Sequence, residues 1–399
     1  MLGRQTLADH ETIETNGPAN PPKLDAGKFS DLFPIRDQLH FFDHAGVAPI
    51  SGPAAEALRR YGEQASTRGY VDSNWQVQVR AVRRGAAQMI GADASEIAFV
   101  PNTSSGLCMI AGGLDWVEGD NVVITSVEYP ANRYPWEDLR RRGVDLIEVA
   151  PEPDGRIFAE QVADAVTNRT RVVSVSHVQY SSGYRIDLRT ISDMVHQAGG
   201  YLCVDAIQSL GAMPVDVAAM GIDFLSVDGH KWLLAPEGCG ILYCRGDLVE
   251  LVHPPVVGWM CMVDADRYGD YRFELRTDAG RFEPGSYNVP GVLALGASMA
   301  LLEDVGAEVI WSRIEALTTR LCDGLASKGY RVFSPRGRGE RSGIVVFEPP
   351  SGGGSCADVV AALRRQDIVI VVREGRLRAS PHFYNTQEQI DHLLDALPA

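Results

Sequence analysis

The sequence predicts an α/β protein, with a large domain on a mostly parallel sheet followed by a smaller α+β domain. Three observations predict it. Between about residues 97 and 244, short β-branched runs alternate with longer amphipathic stretches, as strands joined by crossover helices do. After about residue 290 that alternation gives way to long helical stretches and a few strands. A length of 399 residues, 45% hydrophobic and 22% charged, is enough to bury a large core.

The elements follow in order. Residues 1–28 are polar and rich in Pro, Asn and Gly, which predicts a flexible arm. The large domain is expected over 29–290 and the small one over 291–399. Strands are expected at 97–100, 121–125, 144–150, 171–176, 201–205, 223–228 and 240–244. Apolar residues recurring at three and four predict helices over 53–67, 76–90, 132–142, 159–167 and 188–198. In the small domain, "GVLALGASMALLEDVG" and "EVIWSRIEALTTRLCDGLASKG" read as long helices. "GIVVFE" and "IVIVV" read as strands around a helix at 356–366, with a last helix at 386–397.

Composition excludes several functions. A net charge of -15 disfavours nucleic acid and anionic membranes as partners. No apolar run is long enough to span a bilayer, and the N-terminus lacks a hydrophobic signal core. The seven cysteines show neither C-x-x-C nor Cys/His ligand spacing, so no disulfide framework and no metal site is expected. Cys108, Cys203 and Cys244 read as small core residues. A reducing, cytoplasmic setting is the expectation.

Open α/β sheets bind ligands beyond the carboxyl ends of their strands. "YLCVD" ends in Asp205 and leads to Gln208; "DFLSVD" runs into Gly229, His230 and Lys231. "IAFVPNTSSG" leads into Thr103, Ser104 and Ser105 before an apolar helix, whose N-terminus suits a phosphate. Lys231 is one of only four lysines among 37 basic residues. Neither G-x-G-x-x-G after a strand nor G-x-x-x-x-G-K-[ST] occurs, which disfavours a dinucleotide site. A phosphate cradle, a buried acid and one lysine together suit pyridoxal phosphate. Each part alone has a plainer reading: a surface lysine, a helix cap, a capping turn.

Taken in order, "FFDHAGVAP", "FVPNTSSGL", "VEYPANRYPW", "VSHVQYSSG", "VDAIQ", "DFLSVDGHKWLLAPEGCGILY", "RFEPGSYNVPG" and "LRASPHFYNTQEQID" resemble the class V aminotransferase family. This is a branch of the fold-type I pyridoxal-phosphate enzymes that includes cysteine desulfurases, selenocysteine lyases and isopenicillin N epimerases. The resemblance spans roughly residues 40–397. It implies that Lys231 forms the Schiff base with the cofactor and, once released, moves protons. Asp205 is implied as partner of the pyridinium nitrogen, Gln208 of the ring oxygen, and Thr103, Ser104 and His230 of the phosphate. Ser286 matches a hydroxyl reaching the phosphate of a neighbouring subunit's cofactor, so a homodimer with active sites at the interface is implied. Arg378 matches the clamp for a substrate α-carboxylate, and the backbone of Ala45 and Gly46 would line the substrate site.

Departures bear on the reaction. "IVIVVREGRLRAS" passes to Arg378 with almost no loop and no cysteine, so a persulfide-forming desulfurase is not expected. Tyr129 or Pro130 stands where a ring-stacking histidine is common. Asp228 stands where a phosphate-binding hydroxyl is common, with Ser226 on the same strand face as a substitute. His44 has a structural and a cofactor-side reading, and Trp259 a packing and a substrate-wall reading. The expected function is therefore a pyridoxal-phosphate enzyme acting at Cα of an amino acid or primary amine, an aminotransferase foremost. An epimerase, a cysteine-independent C–S β-lyase and a non-catalytic cofactor-binding regulator are the alternatives.

Overall fold

The computed structural model describes residues 32–352 and 354–398; the arm expected at 1–28 lies outside them. Seven strands form the main sheet: β2 (Ile97–Val100), β3 (Asn121–Thr125), β4 (Asp145–Val149), β5 (Thr170–Ser176), β6 (Tyr201–Asp205), β7 (Phe224–Asp228) and β8 (Gly240–Cys244). Their order is β2-β8-β7-β6-β5-β3-β4. β8 runs antiparallel to both neighbours, and the remaining pairs are parallel. Every strand boundary falls within one residue of the expected one.

Both faces of this sheet are covered, as a parallel sheet requires. Along β3, Val123 packs into one apolar cluster while Val122 and Ile124 pack into the other. Helices α2 (Trp75–Ile90), α6 (Leu188–Gln197) and α8 (Val289–Val305) cover the first face, α2 through Val79, Ala86 and Ile90. Helix α3 (Thr103–Gly113) covers the second through Leu107 and Ile110. Residues 132–142, expected as one helix, divide into three short turns, Pro130–Asn132, Tyr134–Glu137 and Asp138–Arg142. Pro130 and Pro135 lack the N–H that a continuous helix would need.

The small sheet is antiparallel, in the order β12-β13-β10-β9, from β9 (Arg331–Val332), β10 (Val345–Glu348), β12 (Val371–Arg373) and β13 (Arg376–Ala379). The run "IVIVV" is not one strand. Its first half, β11 (Ile368–Val369), pairs in parallel with β1 (His40–Phe41), and its second half is β12. Phe42 accordingly sits in the small domain's apolar cluster with Leu321, Phe347 and Leu393. The chain on either side of residue 43 is thereby tied to the small domain, although it lies within the stretch 29–290. Among the described residues no helix is long and apolar enough to cross a membrane.

Candidate functional site

Three strand-end loops and the β12–β13 hairpin meet at one edge of the main sheet. Asp205 closes β6 on the face that carries α3 and is buried. One carboxylate oxygen accepts the Ile207 N–H at 2.9 Å. Burial pushes its pKa up, partly offset by that hydrogen bond, raised again by Glu128 and lowered by Lys231. Lys231 follows β7, is 9% exposed, and its side-chain amine has no hydrogen-bond or ion-pair partner among the described residues. Burial lowers its pKa; Asp205 opposes the shift and Arg378 adds to it. A buried amine without a hydrogen-bond partner is expensive as a cation, so this environment shifts the lysine toward its neutral, nucleophilic form, to a pKa of about 8.

Local packing fixes the lysine. Leu234, three residues on, has φ 55°, a strained conformation for a branched side chain. It is held there because its carbonyl accepts from Ser51 N and Ser298 Oγ, both at 3.0 Å. Gly211, at φ +95°, leaves the room that the Trp232 carbonyl occupies. Trp232 is fully buried, and its indole N–H donates to Gln208 Oε1 at 2.9 Å. Gln208 in turn donates to the Ala45 carbonyl at 3.0 Å. Its amide therefore braces the lysine loop against residues 45–46, with one N–H left over.

Thr103 and Ser104, expected at a phosphate, lie at the start of α3. Asn102 caps that helix, accepting from Ser105 N at 2.9 Å and from Ser105 Oγ, so Ser105 is committed to the cap. Thr103 is buried, and its hydroxyl has no partner. Ser226 does not substitute for a phosphate ligand. Its hydroxyl donates to the Thr103 carbonyl at 3.0 Å, and a Cβ at Gly106 would overlap it. Ser226 thus seats α3 on β7. Asp228 is buried, accepts the Gly229 N–H at 2.7 Å, and lies 2.9 Å from His230 Nδ1 in an ion-pair contact not aligned as a hydrogen bond. The carboxylate that breaks the family pattern thus lies against the neighbouring imidazole.

On the open side, the Tyr129 ring centroid is 5.5 Å from Lys231 Nζ. Tyr129 is 48% exposed and meets Tyr180 edge-on at 5.2 Å. Of the two residues considered for stacking, Tyr129 is the one beside the lysine. Arg378 is 1% exposed. It bonds Asp43 Oδ1 through Nη2 at 2.9 Å and the Tyr180 carbonyl through Nη1 at 3.3 Å, while its buried Nε has no partner. The N–H groups of Ala45 and Gly46 already donate, to Ser380 Oγ and to the Asp43 carbonyl, both at 3.0 Å. His44 is structural: its ring bonds the Ser380 carbonyl at 2.8 Å and Tyr384 Oη at 2.6 Å.

Two expected residues stand apart. Ser286 is exposed and makes no contact with the rest of the cluster within this one chain. Trp259 is 48% exposed and packs loosely on Tyr268 at 6.0 Å. Cys203 and Cys244 are buried, but Cys108 is exposed on α3 because its position faces away from the sheet. Two charged residues were missed from sequence, Asp43 and Glu128. Both are buried beside the cluster, and each lies inside a motif already singled out, "FFDHAGVAP" and "VEYPAN". A carboxylate flanked by apolar residues in a strand-end loop was the available signal.

A twisted α/β sheet with an unpartnered lysine, a buried acid and an orphaned hydroxyl at its strand ends defines a covalent-cofactor type of site. The family model for class-V aminotransferases matches residues 40–393. The chain belongs to that family. It is 32% identical to a probable cysteine desulfurase of Methanothermobacter thermautotrophicus, over 92% of this chain and 96% of that protein. It is 27% identical to YcbU, an uncharacterized aminotransferase of Bacillus subtilis, over 93% and 97%. The apo cysteine desulfurase of Thermococcus onnurineus superposes with a TM-score of 0.84 at 25% identity, covering 95% of this chain and 97% of that one. The cystine C–S lyase C-DES gives a TM-score of 0.83 at 25% identity, over 92% and 98%. The architecture is that of the fold-type I enzymes, with a seven-stranded mixed sheet and a small antiparallel one.

Proposed function

We propose that this protein is a pyridoxal-phosphate-dependent aminotransferase acting at Cα of an amino acid. The observation that carries the reading is Lys231, a buried amine without a partner beside buried Asp205, with Arg378 on the same rim. The donor set suits the cofactor: the Thr103 hydroxyl is buried and unpartnered, and Asp205 keeps an oxygen free. Lys231 supplies the amine that holds the cofactor's aldehyde. Asp205 takes the ring nitrogen, Gln208 the ring oxygen, and Tyr129 one ring face. Thr103, Ser104 and His230 take the phosphate, with Ser286 of a second copy completing it in a homodimer. When bound, pyridoxal phosphate supplies an electron sink for the bond broken at Cα.

Arg378 orients the substrate through its carboxylate, with Ala45 and Gly46 lining the approach. Lys231, once free of the cofactor, would be the base that takes the Cα proton and the acid that gives it back. Its lowered pKa suits both roles. The net charge and the absence of membrane-length helices among the described residues support a small-molecule substrate and a cytoplasmic setting.

The hairpin before Arg378 favours this reading over a desulfurase. Glu374 and Gly375, at φ 46° and 76°, make the two-residue turn between β12 and β13. No residue from 366 to 379 is a cysteine. A C–S β-lyase is the second reading, favoured by the likeness to a cystine C–S lyase. The test is to load the purified protein with pyridoxal phosphate and assay a panel of amino acids for keto acid, sulfide and loss of optical activity. Keto acid formed from a donor and an acceptor in ping-pong kinetics is expected. Sulfide from cystine or cysteine without transfer would establish the lyase instead, and racemisation alone the epimerase. A protein that cannot be loaded would overturn the cofactor assignment.

A further inference from the structure

We propose that Glu128 is a positioning residue that sets the width and the charge of the slot between Tyr129 and Asp205. This rests on the cofactor reading above and deepens it. Glu128 is buried at the end of β3. Its two oxygens accept from Thr125 Oγ1 at 2.8 Å, Asn132 Nδ2 at 3.0 Å, Gln179 Nε2 at 2.9 Å, Ser176 N at 3.0 Å and Ser176 Oγ. Such a set of donors replaces the water an anion would otherwise need.

What these donors join makes the residue functional rather than merely satisfied. Ser176 is the register partner of Asp205 across β5 and β6, and the next residue, His177, donates its N–H to the Asp205 carbonyl at 3.0 Å. On the other side, Glu128 and Asn132 bracket Tyr129, whose carbonyl accepts the Asn132 N–H at 2.8 Å. Asn132 Oδ1 is anchored in turn by Ser174 Oγ at 2.6 Å and Trp136 Nε1 at 3.1 Å. One carboxylate therefore ties the turn carrying the ring-facing tyrosine to the strand beside the nitrogen-facing aspartate. It also lies near enough to Asp205 to raise that carboxyl's pKa.

The test uses the full chain with pyridoxal phosphate labelled with nitrogen-15 in the ring. Dissociation constants and ring-nitrogen shifts are compared for wild type, Glu128→Gln, and the milder Ser176→Ala and Gln179→Leu. Wild type must bind and form its Lys231 adduct; if it does not, the cofactor reading has failed and not this one. Glu128→Gln is expected to weaken binding about tenfold and to move the nitrogen resonance toward the unprotonated value. The milder variants, which serve also if Glu128→Gln does not fold, are expected to weaken binding about threefold each. Binding within twofold of wild type and an unmoved resonance, with or without a lower melting temperature, would show a purely structural network and overturn the proposal.

Discussion

Arg378 and Asp43 form a 2.9 Å ion pair across 335 residues of sequence, with the guanidinium almost completely enclosed. Replacing Asp43 with Asn would leave Arg378 as a buried charge with only the Tyr180 carbonyl for company. Loss of one partner of such a pair is expected to cost about 3 kcal/mol, read as a lower denaturation midpoint at constant m-value. Arg378→Leu together with Asp43→Leu should recover part of that loss while abolishing use of carboxylate substrates. Equal stability of Asp43→Asn and wild type would mean the pair is not formed in solution.

The titration of the cofactor-free protein should have two arms. The Asp205 pKa is raised in the fold from its ordinary 3.8. Between 3.8 and the raised value of about 7 the folded state holds more protons than the unfolded chain, so stability falls as pH climbs through that range. The Lys231 pKa is lowered from 10.5, so there the unfolded chain holds more protons. Stability then rises again as pH passes from the lowered value toward 10.5. Asp205→Asn should flatten the acid arm and Lys231→Met the alkaline one. Pyridoxal phosphate should flatten the acid arm too, because a ring cation favours ionised Asp205. Denaturant midpoints at several pH values check all three.

The seat of α3 on β7 is tight enough to test by a single methyl. A Cβ at Gly106 would meet Ser226 Oγ and Cβ, and both Ser226 and Thr103 are buried. Gly106→Ala should therefore cost about 2 kcal/mol through overpacking and weaken phosphate-dependent cofactor binding more than it weakens pyridoxal binding. Adding Ser226→Gly should restore much of both. A neutral Gly106→Ala in both assays would place α3 less rigidly than the Ser226–Thr103 hydrogen bond implies.

Thiol chemistry should be dispensable. Cys108 is the exposed cysteine among those described. Alkylation of native protein should modify it first and leave transfer activity unchanged. A persulfide trapped on any cysteine after incubation with cysteine, or activity lost in step with alkylation, would revive a desulfurase mechanism.

Sequence made the large sheet legible because its strands are compact apolar runs, buried on both faces in all but the edge strand β4. The same logic placed Asp205, Lys231 and Thr103 at strand ends. It failed where an element is short and polar. β13 reads "RLRA", so Arg378 was recognised by motif and not as a strand residue on the antiparallel sheet. "IVIVV" looked like one strand because hydrophobicity does not record that its halves pair with different partners. Asp43 and Glu128 were missed because a carboxylate's burial depends on partners far away in sequence: Arg378 for one, Ser176 and Gln179 for the other. Asp228 seemed unexplained for the opposite reason, its counterpart being only two residues away at His230.

The parallel pairing of His40–Phe41 with Ile368–Val369 has a consequence in time. His44 reaches Ser380 across 336 residues, and Asp43 pairs with Arg378, so this side of the site cannot assemble until residue 380 has been made. The main sheet is complete at residue 244, well before the rim. During synthesis Lys231 is therefore in place before the residues around Arg378 exist, and closing this 336-residue span is a late step.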